Sequence, residues 1–363
     1  MTLSIANKFI VFNQPDITEE EISAVGEVLR SGWIGTGKVS RQFEEEFADF
    51  MGGGYAVAVS SCTMGLQLAL KTCNLELVRN DFVILPPLTF AATLNAVLSV
   101  FAIPIFVDVD ENGLLDVEDV NLKLSNLDIK AVIPVHYSGS VFNVSKLKLK
   151  GQKVIEDCAH AFGALFPKKS DFKVFSFYAN KNITCGEGGM VLCKSKEMSN
   201  EIRIMASQGL SLDAWNRYGS GPIKKYSVER VGLKGNMPDI LAAIGLTQLR
   251  RWPELRDKKR TIFKIYEEAF GKKEIGHSMH FYPIRLKNRD EVRLKLHENG
   301  IGTGVHYKPL HLEPAYKFLG NIVGEYPMAE AWGREELSLP VSTHMKESDA
   351  NRIVEIINEF RTT

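Results

Sequence analysis

A lysine and a group of glycines follow a strand-like apolar segment in the stretch "FSFYANKNITCGEGG", residues 175–189. Lys181 comes just after the apolar residues end, and Gly186, Gly188 and Gly189 follow it. An amine at this place can act as a nucleophile toward a bound ligand, because glycines let the backbone approach that ligand closely. Taken alone, however, the stretch fits an ordinary solvated loop lysine better. The ends of the other strand-like segments must therefore decide between the two interpretations.

A turn that suits a phosphate follows the segment "YAVAVS". There Ser61, Cys62 and Thr63 lead into a predicted helix, so backbone N–H groups, a hydroxyl and the helix dipole converge on one point. An ordinary N-cap by Ser or Thr explains the same residues. Phe90 stands in the loop after "FVILP", where its ring can either pack in the core or stack on a ligand.

An acid and a histidine follow the segment "KVIE". Asp157 can cap a helix that begins at Cys158, or it can pair with a protonated ring nitrogen of a ligand, and His160 comes three residues later. A phosphate turn, a stacking ring, an acid for a pyridinium nitrogen and an amine for an aldehyde are together what pyridoxal 5′-phosphate requires. The combined pattern therefore predicts this cofactor.

Alternating strands and helices have to position these residues. Strand-like apolar segments are "YAVAVS", "FVILP", "IPIFVDV", "AVIPVH", "KVIEDC", "KVFSFY" and "GMVLC", with helix-like segments between several of them. Such alternation over roughly 150 residues predicts an α/β domain with a mostly parallel sheet. Ligands of such sheets bind at the carboxyl ends of the strands, which is where the candidate residues stand.

The pattern changes after about residue 240. A long helical stretch, predicted to be interrupted at Pro253, leads into a set of shorter helices and strands. We therefore predict a large PLP-binding α/β domain at residues 1–245 and a smaller C-terminal α+β domain at residues 246–363.

Composition narrows the class of partner. Lys+Arg and Asp+Glu number 44 each, which gives no charge argument for nucleic acid or an anionic membrane. The five cysteines contain no Cys-x-x-Cys pair, so neither a zinc site nor a disulfide framework is predicted, and a reducing cytoplasm fits them. The N-terminal stretch lacks the features of a signal peptide, and we expect a cytoplasmic protein.

Several segments of the chain resemble the DegT/DnrJ family of sugar aminotransferases, which has the aspartate-aminotransferase fold. The resemblance extends from "SGWIGTGKVSRQFEEEFADFMG" to "REELSLPVS" and is most specific in "IEDCAHAFGA", "FSFYANKNITCGEGGMV" and "GIGTGVHYKPLH". It implies that Lys181 forms the Schiff base with the cofactor and that Asp157 binds its pyridine nitrogen. It also implies that His160 lies near the ring hydroxyl and Phe90 over the ring. The phosphate-binding positions correspond to Cys62, Thr63 and Ser176.

The loop "GLKGNMPDI" departs from the family pattern. Lys234 stands where the family has Asn, and Asn236 where it has Arg. In the family this loop reaches across a dimer interface to the neighbouring subunit's phosphate, so the resemblance implies a homodimer in which Lys234 binds the neighbour's cofactor. Positions that the resemblance places near the substrate entrance are Trp33, His306, Tyr307 and Lys308.

The resemblance implies transfer of an amino group from an amino acid, glutamate in most of the family, to a keto group of a nucleotide-diphosphate-linked deoxy sugar. The product would be an amino-sugar precursor of a polysaccharide, glycoprotein or secondary metabolite.

A sugar dehydratase of the same family is the first alternative function, but in such dehydratases histidine replaces the lysine. A non-catalytic regulator that binds the cofactor is the second, although no DNA-binding module is evident. A nicotinamide dehydrogenase would need a Gly-x-Gly-x-x-Gly turn, which "AVAVSSCTMGL" lacks.

Overall fold

The structure is a computed structural model that describes residues 9–73, 81–167, 170–211, 225–273 and 276–361. Its strands in these ranges are β1 (Tyr55–Val59), β2 (Phe82–Leu85), β3 (Ile103–Phe106), β4 (Ile129–Val132), β5 (Lys153–Asp157), β6 (Phe172–Ser176), β7 (Gly189–Cys193), β8 (Tyr282–Arg285) and β9 (Glu336–Leu339). Its α-helices there are α1 (Glu19–Ser31), α2 (Lys38–Phe50), α3 (Cys62–Lys71), α4 (Ala91–Ser99), α5 (Val117–Asn126), α6 (Lys196–Ala206), α7 (Asp239–Phe270), α8 (Arg289–Glu298), α9 (Pro327–Glu335) and α10 (Glu347–Arg361).

Seven of the strands form one sheet in the order β1-β7-β6-β5-β4-β2-β3. The pairs from β6 to β3 are parallel, and β7 runs antiparallel to both β1 and β6. The predicted α/β fold with a mostly parallel sheet is therefore confirmed. The carboxyl ends of β4, β5 and β6 lie next to one another, which brings the loops that follow these strands to one edge of the sheet.

Helices cover both faces of this sheet because its strands are apolar on both sides. Val57 and Val59 of β1 pack in a layer with residues of α3, α4 and α6. Ala56 and Ala58 point to the opposite layer, which contains residues of α2 and α7. The alternation of side chains along a strand sends successive residues to opposite faces, so an uninterrupted apolar strand needs both layers.

Helix α1 shows how local sequence sets an element's ends. The Thr18 hydroxyl accepts a hydrogen bond from the Glu20 backbone at 3.3 Å, and the Glu21 carboxylate accepts one from the Thr18 backbone at 2.8 Å. Gly32 ends the helix with a φ of 74°, a left-handed conformation that glycine adopts without strain. The first turn is acidic, with Glu19, Glu20 and Glu21, as the helix dipole favours.

The predicted interruption at Pro253 is wrong, because α7 continues through it from Asp239 to Phe270. Proline removes one intrahelical hydrogen bond and crowds the preceding turn, at a cost of about 3 kcal/mol. The helix is held on both sides of the proline by buried residues that pack in the same layer as α2 and Ala56 and Ala58 of β1; these residues are Leu249, Trp252 and Leu255. Tertiary packing therefore overrides the local signal.

The later residues form a second, smaller core. Strands β8 and β9 pair antiparallel, and their residues pack with α8, α10 and the end of α7. The predicted domain boundary at residue 245 falls inside α7, and the division into residues 1–245 and 246–363 stays a prediction. Among the described residues, no helix combines the length and the apolar character that crossing a membrane requires.

Candidate active site

Asp157 ends β5 and lies buried at the centre of the site. Its Oδ2 accepts a 2.8 Å hydrogen bond from the Thr93 hydroxyl, and its Oδ1 accepts one of 3.1 Å from the Ala159 backbone. Burial raises the pKa of Asp157, while these two hydrogen bonds and the positive charge of Lys181 oppose the rise. Asp157 does not cap a helix, since the residues after it form turns.

The turn that was predicted to hold a phosphate lies beside this acid. The Ser61 hydroxyl accepts a 3.1 Å hydrogen bond from the backbone three residues on and so caps α3, whose first residue is Cys62. The Cys62 Sγ lies 3.9 Å from Oδ1 of Asp157. A Cβ on Gly189 would lie 2.7 Å from the Cys62 nitrogen, so this close approach of β7 to the turn requires glycine. Ser176 pairs with Gly189 at the end of β6 and is buried.

Lys181 lies in the turn that follows β6, where its backbone nitrogen donates to the Tyr178 carbonyl at 2.9 Å. Burial lowers the pKa of Lys181 to about 8, and the Cys62 and Asp157 side chains oppose the shift. Burial alone accounts for this lowering of the pKa. A lysine with a pKa near 8 supplies far more free amine at neutral pH than a surface lysine with a pKa near 10.4.

Three aromatic rings, those of Phe90, His160 and Tyr307, lie together in the site. The Tyr307 hydroxyl lies 2.9 Å from Nε2 of His160, and the two rings stack with centroids 5.9 Å apart. The ring of Phe90 lies 5.9 Å from Tyr307 and is 59% exposed. Burial lowers the pKa of His160 well below its usual value, so this imidazole is neutral. The structure thus brings Phe90 and His160 together with Tyr307.

Ser278, which the sequence did not single out, joins the three loops that follow β4, β5 and β6. Its hydroxyl donates to the His160 carbonyl at 2.5 Å, and its nitrogen donates to the Gly139 carbonyl at 3.1 Å. Its own carbonyl accepts a 2.8 Å hydrogen bond from Asn182, the neighbour of Lys181. All three polar groups of this fully buried residue are therefore used to hold loops of the site.

The remaining predicted entrance residues separate into two groups. His306 lies near the site, with its ring 5.8 Å from that of His160, whereas the exposed Lys308 amine binds Glu313 at 3.1 Å. Trp33 donates from Nε1 to a backbone carbonyl at 3.1 Å, in a groove of about 540 Å³ between α1, α2 and α7. Among the described residues that line this groove, Trp33 is the one predicted site residue.

Lys234 is exposed and lies in a segment that runs beside β1. Gly235 of this segment accepts a 2.7 Å hydrogen bond from Ser60, which directly precedes the phosphate turn. The Lys234 amine donates to the side-chain oxygen of Asn236, and the Asn236 amide donates to the Thr36 hydroxyl at 2.5 Å. Lys234 and Asn236 are therefore hydrogen-bonded to each other, and Asn236 is hydrogen-bonded to the loop that precedes α2.

Pyridoxal phosphate fits the residues that the structure assembles. Phe90 offers an exposed ring to a planar ligand, and Nδ1 of His160 is buried without a hydrogen-bond partner among the described residues. The amine of Lys181 and the carboxylate of Asp157 are close enough for each to shift the other's pKa. The N-terminus of α3 supplies backbone N–H groups for a phosphate.

Comparison with known proteins identifies the family. The chain matches the DegT/DnrJ/EryC1/StrS aminotransferase family over residues 15–358. SpsC of Bacillus subtilis, a spore coat polysaccharide biosynthesis protein, is 36% identical over 382 residues, which cover 98% of this chain and 97% of SpsC.

Solved structures agree with this assignment. Spr1654 from Streptococcus pneumoniae in its PMP form superposes with a TM-score of 0.87 at 30% identity, covering 96% of this chain and 98% of that chain. Helicobacter pylori PseC, an aminotransferase involved in the biosynthesis of pseudoaminic acid, gives 0.87 at 26% identity, covering 98% and 100%. The chain therefore belongs to the DegT/DnrJ/EryC1/StrS aminotransferase family and is an enzyme whose cofactor is pyridoxal 5′-phosphate.

Proposed function

We propose that this aminotransferase moves an amino group from an amino acid, glutamate by the habit of the family, to a keto group of a nucleotide-diphosphate-linked sugar. The observation that carries the proposal is the half-buried Lys181 close to the buried Asp157, in the segments where the neighbouring strands β6 and β5 end. The names of SpsC and PseC support a sugar substrate and a role in making surface polysaccharides or amino sugars. Lys181 itself disfavours the dehydratase alternative.

Each residue of the site would have a distinct role in the proposed reaction. Lys181 would hold the cofactor through its amine and, when that amine is free, would move a proton at the substrate's α-carbon, for which its lowered pKa suits it. Asp157 keeps the pyridine nitrogen protonated, and Thr93 orients its carboxylate. Cys62, Thr63 and Ser176 hold the phosphate, while Phe90 and His160 confine the ring. When bound, the cofactor supplies the electron sink for the substrate's α-carbon.

The protein would act as a cytoplasmic homodimer with shared sites. Lys234 is exposed in a single chain, although the segment that carries it lies beside the phosphate turn. Exposed apolar side chains of the preceding residues favour a partner surface there; these are Tyr226, Val228 and Val231. The division into a large domain (1–245) and a small domain (246–363) is part of the same proposal.

A coupled assay tests the reaction. The holoenzyme is incubated with glutamate and a panel of nucleotide-linked 4-keto and 3-keto sugars, and 2-oxoglutarate and amino sugar are measured together. We expect equimolar formation of both with at least one sugar. Formation of 2-oxoglutarate with simple keto acids, and with no nucleotide sugar, would refute the sugar assignment.

A further inference from the structure

A chain of hydrogen bonds connects a buried carboxyl group to the ring of His306. Oε2 of Glu336 accepts a 2.7 Å hydrogen bond from the His306 backbone nitrogen. Oε1 of the same carboxyl lies in hydrogen-bond contact with the Ser338 hydroxyl. That hydroxyl is in turn 2.7 Å from Nδ1 of His306. Glu336 and Ser338 belong to β9 and are both fully buried, whereas His306 lies in the loop between α8 and α9.

The ring of His306 lies beside the residues of the active site, with its centroid 5.8 Å from that of His160. It stacks on Phe281 with centroids 4.5 Å apart, and it lies 4.8 Å from the ring of Tyr307. Burial and the positive charge of Lys181 lower the pKa of His306 to about 3, so the imidazole is neutral and carries one N–H. Its Nε2 makes no hydrogen bond to any residue within the described ranges, which leaves this nitrogen to a ligand.

The hydrogen bonds from Glu336 through Ser338 to His306 permit two consistent arrangements of protons, because the Ser338 hydroxyl has one hydrogen to donate. If Glu336 is ionised, Ser338 donates to it and must accept from His306, so the ring proton is on Nδ1 and Nε2 is an acceptor. If Glu336 is protonated on Oε1, it donates to Ser338, which then donates to Nδ1 of His306. The ring proton is now on Nε2, and Nε2 is a donor.

The surroundings of Glu336 favour the protonated form at neutral pH. Burial raises the pKa of this carboxyl to about 8, against the opposing contacts of Ser338, the His306 backbone, the Tyr137 hydroxyl and the Arg289 guanidinium. The phenols of Tyr137 and Tyr307 face the carboxyl, and both stay neutral because burial raises their pKa well above 10. Arg289 is the cation among these groups, and it donates at 2.7 Å to the backbone carbonyl of Glu336.

We propose that Glu336, acting through Ser338, determines which ring nitrogen of His306 carries the proton, and that the protonated carboxyl makes Nε2 a hydrogen-bond donor toward a substrate oxygen. Glu336 and Ser338 are thus positioning residues for His306. The oxygen belongs to the amino donor's carboxylate or to the sugar, and in this respect the inference rests on the proposed function. Ionisation of Glu336 reverses the polarity of Nε2 and weakens binding of that substrate.

Nitrogen NMR of the resting holoenzyme tests the tautomer directly. With ¹⁵N-labelled histidine, protonated and bare ring nitrogens give well-separated signals, and the His306→Gln variant identifies the resonances of this residue among the eight histidines. We expect the proton on Nε2 at pH 6.5 and on Nδ1 at pH 9.5. Glu336→Gln should keep it on Nε2 at both pH values, since the amide accepts from the His306 backbone and donates to Ser338 without ionising.

A proton that stays on one nitrogen in the unmodified enzyme from pH 6.5 to 9.5 would overturn the proposal, as would a Gln variant that follows the unmodified enzyme. Ser338→Ala provides a second test if the Gln variant does not fold. It removes the link and keeps the carboxyl, so the tautomer of His306 should lose its pH dependence. Because no substrate is present, these outcomes are independent of whether the proposed reaction is correct.

The two half-reactions then identify the substrate oxygen. The amino-acid half is followed by the cofactor's absorbance change, and the sugar half by the reverse change from the pyridoxamine form. We expect KM for one of the two substrates to rise about tenfold from pH 7 to 9.5 in the unmodified enzyme and to stay constant in Glu336→Gln. Equal pH dependence of both enzymes in both halves would refute the role in binding.

Discussion

The hydroxyl of Thr93 and the carboxylate of Asp157 are joined by a buried hydrogen bond of 2.8 Å. Thr89 lies behind this pair, with its hydroxyl 2.8 Å from that of Thr93. Because the Thr93 hydroxyl uses its hydrogen to donate to the carboxylate, its oxygen accepts from Thr89, and the orientation of the acid is set by residues on the α4 side of the large sheet. The direction in which the Asp157 carboxylate faces is therefore fixed, as its proposed contact with a ring nitrogen requires.

Replacement of Asp157 by Asn should lower turnover by ~100-fold or more, a loss of about 2.7 kcal/mol of transition-state stabilisation or greater. The amide cannot keep the pyridine nitrogen protonated, so the electron sink is weakened. Borohydride trapping of the cofactor on Lys181 should persist. Thr93→Val, which keeps the acid and removes its orienting hydrogen bond, is the matched comparison and should lose less. Near-normal turnover in Asp157→Asn would mean that the acid has a structural role only.

Lys181→Ala should abolish transamination and leave the fold intact. The unmodified protein should be yellow from cofactor bound to the lysine, and the variant should form no adduct that borohydride can trap. Lys130→Ala is a suitable control, because that amine binds Asp128 on the surface at 2.8 Å. Trapping, peptide mapping and a thermal melt check the result. An adduct that still forms in Lys181→Ala would place the reactive amine elsewhere.

The rate at which the apoenzyme takes up cofactor should depend on pH through Lys181. The free amine is the form that reacts, and its folded pKa of about 8 lies below the ordinary lysine value. Appearance of the yellow absorbance should therefore accelerate about tenfold per pH unit below 8 and level off above it. Stopped-flow measurements from pH 6 to 10 check this. A rate that continues to rise tenfold per unit beyond pH 9 would show an unshifted amine.

The sequence was sufficient to predict the edge of the sheet where the site lies. Asp157 and Lys181 come just after apolar segments that form β5 and β6, and parallel strands bring their carboxyl ends together. The glycines after Lys181 were predicted to let the backbone approach a ligand; in the structure, Gly189 permits the close approach of β7 to the turn at Cys62. Periodicity and turn chemistry are local properties, and they were enough for these residues.

Contacts between distant residues could not be predicted in this way. Thr93 bonds to a residue 64 positions away, and Ser278 to one 118 positions away, and neither is marked by a local pattern. The position of Trp33 in a family motif predicts a place near the substrate; in one chain this residue lines a groove between α1, α2 and α7, and its role at the substrate entrance stays a prediction. Which loops meet is decided by how the two cores pack, and no short segment contains that information.

Ser278→Ala should reduce turnover about five- to twentyfold, because the His160 carbonyl loses its 2.5 Å hydrogen bond and the loop after β5 is no longer tied to Ser278, although the backbone contacts of this residue to Gly139 and Asn182 remain. A shift in the absorbance maximum or its pH midpoint should accompany the loss. Ser199→Ala is the matched control: it removes one buried hydroxyl, bonded at 2.8 Å to a carbonyl within α6, away from the site. If both variants lose only thermal stability, Ser278 does not position the site.

Lys234 provides the test of a shared site. Its ammonium would make one of several charge-assisted contacts to the neighbouring subunit's phosphate, worth on the order of 1.5–3 kcal/mol. Lys234→Ala should therefore weaken cofactor affinity about ten- to hundredfold, because each ~1.4 kcal/mol is a factor of ten. Asn236 orients this amine, and Asn236→Ala should have a smaller effect. If Asn236→Ala carries the whole loss and Lys234→Ala carries none, the asparagine makes the contact.

Mixed dimers decide whether the contact crosses between subunits. When Lys234→Ala and Lys181→Ala chains exchange, a mixed dimer forms with two different sites if the sites are shared. One site contains both substitutions, and the other combines an intact Lys181 with an intact Lys234 from the opposite chain. Activity should therefore return to a fraction of the unmodified level, although neither parent dimer is fully active. If Lys234 instead serves its own chain, each site of the mixed dimer keeps one lesion and no activity is restored. Absence of recovery after subunit exchange has been demonstrated by mass spectrometry would thus rule out the shared site.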